Sequence, residues 1–85
     1  MRKGKRLRDA LRMLEALVGD AAGGRRYWDR FDCLNSDGRR LLHSITKVLL
    51  EEEPWLRRMV YEARREPCRS VLEKLLDRVR ESARL

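Results

Sequence analysis

Glutamine is absent from this chain, and asparagine, threonine and histidine occur once each beside four serines. With so few uncharged polar side chains, the surface has to be covered by ionised groups. The single histidine, His43, removes the multi-histidine arrangements that serve metal binding and general-base catalysis. Neither a Walker A loop, nor a GxSxG elbow, nor HExxH, nor an aspartate-rich metal loop is present. No enzymatic activity, no cofactor and no metal site are therefore expected, and His43 reads as an ordinary helix residue.

Cys33 and Cys68 are the only cysteines, too few for a disulfide scaffold and without CxxC spacing. Reduced, buried thiols are the default for such a pair. The alternative is a Cys33–Cys68 disulfide, whose closed loop would stabilise by roughly 3.8 kcal/mol in the chain-entropy model.

No apolar run exceeds three residues, as in Val48-Leu49-Leu50, and Leu7 to Val18 is interrupted by Arg8, Asp9, Arg12 and Glu15. That excludes a spanning helix or secretory leader in the usual form, so no membrane insertion and a cytoplasmic location are expected. Strands are not expected either. The β-branched residues are five valines, Ile45 and Thr46, and they nowhere alternate with polar residues over a strand's length.

What the chain does hold is charge and leucine. Charged residues make up 41% of 85 positions, against about 25% in an ordinary domain. The 42% hydrophobic content includes 14 leucines, enough burial to offset ordering entropy and to exclude disorder. A chain this short hides only about 60–65% of its unfolded surface. A partner, a second copy forming a homodimer, or a crosslink is the expected supplement.

Lys and Arg exceed Asp and Glu by 21 to 14, giving +7, and 17 of the cations are arginine. Arginine's planar fork suits phosphate and carboxylate, although a GC-rich genome writes the same bias. Scarce amides beside abundant Arg, Glu and Leu also match the charge-network composition of thermophile proteins.

Punctuation by Gly, Pro and Asn35-Ser36-Asp37-Gly38 predicts an all-α fold, a small bundle of four to five short helices. The whole chain, 1–85, reads as one helical domain, with residues 1–6 as a flexible basic tail. A first helix from Lys5 to Val18 places Leu7, Leu11, Leu14 and Val18 on one face. Arg25 to Leu34 is expected as a short helix with Tyr27, Trp28, Phe31 and Leu34 on one side. Ser36 or Asp37 is the expected N-cap of a third helix burying Leu41, Leu42, Ile45, Val48 and Leu49. Pro54 opens a fourth, burying Trp55, Leu56, Met59, Val60 and Ala63, and Pro67 precedes a last one with Ser70 and Glu73 at capping-box spacing.

Charge is uneven along the chain. Arg2, Lys3, Lys5, Arg6, Arg8 and Arg12 face only Asp9 within the first twelve residues, a local balance of +5. On a helix, Lys5, Arg8 and Arg12 line the face opposite the leucines, where they can meet phosphate; a merely solvated face is the plainer account. Arg25 and Arg26 precede Tyr27 and Trp28, the mixture of cations and rings that single-strand binders use. Arg57 and Arg58 follow Trp55, and a helix-turn-helix would aim them at a groove, but Glu51, Glu52 and Glu53 stand at that end.

Two functions compete. One is a small basic nucleic-acid-binding protein, nucleoid-associated if the partner is DNA, contacting phosphates through Arg2, Lys3, Lys5, Arg6, Arg8, Arg12, Arg25, Arg26, Arg57 and Arg58. The other is an accessory subunit or inhibitor that docks an apolar helix face on a larger protein, with Trp28 and Trp55 as anchors. Exposed tryptophan favours the second; buried tryptophan with salt-sensitive binding favours the first.

Overall fold

Leucine and alanine at helical spacing build the first element. The computed structural model describes residues 3–84, with side chains for 5–84. Helix α1 (Lys3–Gly19) buries Leu7, Ala10, Leu14, Leu17 and Val18. It begins at Lys3 rather than Lys5, so the backbone of residues 3–6 is helical.

Helix α2 (Ser36–Glu52) turns Leu42, Ile45, Thr46 and Leu49 inward. It runs opposite to α1, since Arg6 bonds Glu51 at 2.8 Å while Met13 shares a cleft with Ser44. A 3-10 turn (Pro54–Leu56) leads into α3 (Arg57–Arg65), and α4 (Arg69–Arg84) closes the bundle with Leu72, Leu75, Leu76 and Val79 inside. α1 packs on α2 and α4, and α3 packs on the same two helices. Among the described residues the fold is all-α, with four α-helices and no strand.

The polar core contact is between α2 and α3. The Thr46 hydroxyl, fully buried, donates to the Leu42 carbonyl at 2.8 Å and accepts from Arg64 Nε at 3.0 Å. Both polar partners are thereby satisfied where an unpaired group would cost about 1–3 kcal/mol.

The structure departs from the sequence expectations at three places. The segment from Arg25 to Leu34 is not a helix. Asp29 Oδ1 accepts from the backbone N–H of Phe31 and Cys33, at 2.8 and 3.1 Å, which draws the chain into a tight loop. Arg25 and Asp32 take left-handed backbone angles, φ 55° and 60°. Trp28 and Leu34 are instead opposed across a single antiparallel bridge and both are buried, while Phe31 stands at the loop tip with 75% exposure.

Second, the cap of α2 is Asn35 and not Ser36 or Asp37. Its side chain accepts from Gly38 N at 2.9 Å and donates to the Arg26 carbonyl at 3.0 Å. Gly38 lets the loop come this close, because a Cβ there would lie 2.5 Å from the Tyr27 carbonyl oxygen.

Third, the cysteines are bonded to each other, and no described cysteine is free. Backbone pairing puts them opposite: Leu34 N donates to Pro67 O, and Arg69 N to Asp32 O, both at 2.8 Å. The aromatic loop is thus tied to the start of α4. The Trp28 indole N–H donates to the Leu17 carbonyl at 2.9 Å, satisfying one of the carbonyls left over in the last turn of α1.

Candidate nucleic-acid interface

Helix α1 alternates its leucine stripe with exposed cations. Arg8 and Arg12, with Leu11 and Glu15, form one wall of a groove whose other wall is Arg80, Ala83 and Arg84 of α4. Its single carboxylate, Glu15, accepts from Arg80 at 3.1 Å, and Arg80 also lies 3.7 Å from Asp77. Arg8, Arg12 and Arg84 make no ion pair among the described residues. Among the described residues, three guanidinium groups therefore line one shallow groove whose single carboxylate is held by Arg80.

The other candidates of the N-terminal segment divide. Lys5 is exposed. Arg6 is taken up by α2, bonding Glu51 at 2.8 Å and approaching Glu52 at 3.5 Å. Glu52 is itself buried, so Arg6 serves as its counter-ion. Arg2 and the side chain of Lys3 lie outside the described residues.

Arg25 is a brace of the aromatic loop. Its guanidinium donates to the carbonyls of Ala21 and Asp29 and pairs with Asp32 at 3.0 Å. Arg26 is exposed. The rings beside these two are not available together: Trp28 is 5% exposed and Tyr27 packs against the core.

A second cationic surface lies on α3. Arg57, Arg58 and Arg65 line a cleft of about 660 Å³ with Pro54, Trp55, Tyr61 and Glu62. Trp55, expected inside, is 54% exposed. The buried stripe running from this turn into α3 is Leu56, Val60 and Ala63, and a position adjacent to Leu56 in the 3-10 turn is rotated by about 120°, which takes Trp55 off the core. Its indole N–H donates to Glu53, and the Arg78 guanidinium of α4 sits 5.3 Å from the ring centroid.

The glutamates ahead of α3 are therefore all occupied, Glu51 and Glu52 by Arg6 and Glu53 by Trp55. Arg58 and Glu62 form no ion pair among the described residues, although their spacing allows one. Tyr61, Arg78 and Arg84 do not stand out as binding residues in the sequence. Tyr61 falls midway between Arg58 and Arg65 at helical spacing, and that was the available signal.

Nothing in the described residues gathers three or more His, Cys, Asp or Glu side chains into a metal-holding group. His43 is exposed on α2. No described helix is long and apolar enough to cross a membrane. Compared with protein-family models, with curated proteins and with solved structures, the chain matches none.

Proposed function

We propose that this chain binds nucleic acid through its phosphates, with the α1–α4 groove as the main contact. The observation that carries the reading is the set Arg8, Arg12 and Arg84, exposed in one groove with no carboxylate of their own. Arg69 pairs with Glu73 and Arg40 with Asp37, whereas Arg8, Arg12 and Arg84 share one groove whose only carboxylate, Glu15, is held by Arg80. A phosphate backbone supplies the missing charge, and release of its condensed counterions drives binding. Arg6 and Arg25 play structural parts in this account.

The test is the triple variant Arg8→Gln, Arg12→Gln, Arg84→Gln against wild type, by fluorescence anisotropy on labelled duplex DNA. If each arginine meets one phosphate, the slope of log affinity against log salt becomes shallower by about 2.7. An unchanged slope removes the groove from the interface.

A second reading, docking on a larger protein, is favoured by the exposure of Trp55 and by the small cleft around Ala10, Met13, Ile45 and Val48. It requires that oligonucleotides fail to bind even at low salt.

A further inference from the structure

We infer that the cleft on α3 is a stacking platform for unpaired bases, which makes single-stranded nucleic acid the substrate class of this protein. The inference rests on the phosphate-binding reading above and adds a second surface to it. Trp55 and Tyr61 are 54% and 55% exposed in a chain with only five aromatic residues and a small core to fill. Leaving both outside forgoes burial worth about 1.5–3 kcal/mol for a large apolar side chain.

Their surroundings are cationic rather than apolar. Arg57, Arg58 and Arg65 stand around the two rings, and Glu62 is the one acid in the lining. Pro54 is the only further apolar residue of the lining. Rings for the bases and guanidinium groups for the backbone are what sequence-tolerant single-strand sites combine.

The tryptophan is also held in place. Its N–H is bound to Glu53, Arg78 covers the ring at 5.3 Å, and the adjoining Leu56 is fully buried. Little freedom is then lost when a base settles on the ring, which preserves affinity. Bases in a duplex present only their edges, so flat rings on a shallow cleft gain nothing from paired DNA. The single strand is selected because its bases are free to stack.

The experiment uses the intact chain with labelled oligothymidylate, oligouridylate of equal length, and a duplex of the same length, at low salt. One of the two single strands binds tighter than the duplex, and the tighter one distinguishes DNA from RNA as the natural strand. Trp55→Ala lowers single-strand affinity about tenfold and changes duplex affinity by less than about twofold. Trp55→Phe keeps most of the single-strand affinity. Binding of the single strand quenches tryptophan emission in wild type, and this quenching disappears in Trp55→Phe, where the buried Trp28 alone emits. Helicity of each variant is checked by circular dichroism.

Salt-sensitive binding with no strand preference and no effect of Trp55→Ala overturns the platform and leaves the phosphate reading standing. No binding of any oligonucleotide overturns both. Polyglutamate competing as well as oligothymidylate at equal charge also overturns the platform, because charge alone would then set affinity, as on an acidic protein partner.

Discussion

Opening the Cys33–Cys68 bond tests how much of the fold depends on the crosslink. The cysteines are 35 residues apart in sequence, and closing a loop of that length removes unfolded-state entropy worth about 3.8 kcal/mol. A chain of 85 residues has a total stability of about 4–13 kcal/mol, so the bond supplies between a third and nearly all of it. At about 4–8 °C per kcal/mol for a domain of this size, the melting temperature should fall by roughly 15–30 °C. Backbone bonds from Leu34 N to Pro67 O and from Arg69 N to Asp32 O tie the same two segments independently of the sulfurs, so the loss is expected to act chiefly through the unfolded chain. The assay is thermal unfolding by circular dichroism with and without reductant, alongside the double variant Cys33→Ser, Cys68→Ser. An intact mass lighter by two hydrogen atoms verifies the bond before the melt. Reductant should lower the melting point of wild type to that of the double variant and leave the variant unmoved. A drop of less than about 5 °C would refute the reasoning.

The two tryptophans should behave oppositely: Trp28→Ala destabilises by about 3–5 kcal/mol in chemical denaturation, whereas Trp55→Ala leaves the midpoint nearly unmoved. Gly38→Ala should cost about 1–3 kcal/mol in the same measurement, because its Cβ meets the Tyr27 carbonyl at 2.5 Å and Leu34 Cδ2 at 2.9 Å. Arg6→Gln removes the counter-ion that lies 3.5 Å from Oε2 of buried Glu52, whose Oε1 already has no hydrogen-bond partner, and should cost about 1–3 kcal/mol. The same variant should leave oligonucleotide affinity within about twofold when anisotropy is measured below its unfolding range, separating its structural part from the groove arginines.

The helical stripes were legible because a period near 3.6 marks them directly: Leu7, Leu14 and Val18 in α1, Ile45 and Leu49 in α2, Leu72, Leu75 and Val79 in α4 are all buried. The loop from Arg25 to Asn35 was not. Tyr27, Trp28, Phe31 and Leu34 have the spacing of a helix face, yet the Asp29 carboxylate competes for the backbone N–H groups of Phe31 and Cys33. That competition is local chemistry that hydrophobic spacing does not register. Of the tryptophans only Trp55 leaves the core expected for it, while Trp28 is buried. Trp55 sits beside a stripe already filled by Leu56 and Val60, and Trp28 is drawn in by the free Leu17 carbonyl at the end of α1. The α1–α4 groove was half legible, since Arg8 and Arg12 follow from α1 alone. Arg84 joins them only through the packing of α4, a contact between residues far apart in sequence. The pairing of Cys33 with Cys68 depends likewise on the backbone register between the loop and α4.

The most direct test of phosphate binding is the affinity of the wild-type chain for a labelled duplex and a labelled single strand between about 50 and 200 mM salt. The account predicts that log affinity falls linearly with log salt, with a duplex slope of about −2.7 or steeper for the three groove arginines. No binding at the lowest salt, or a slope near zero, would contradict it.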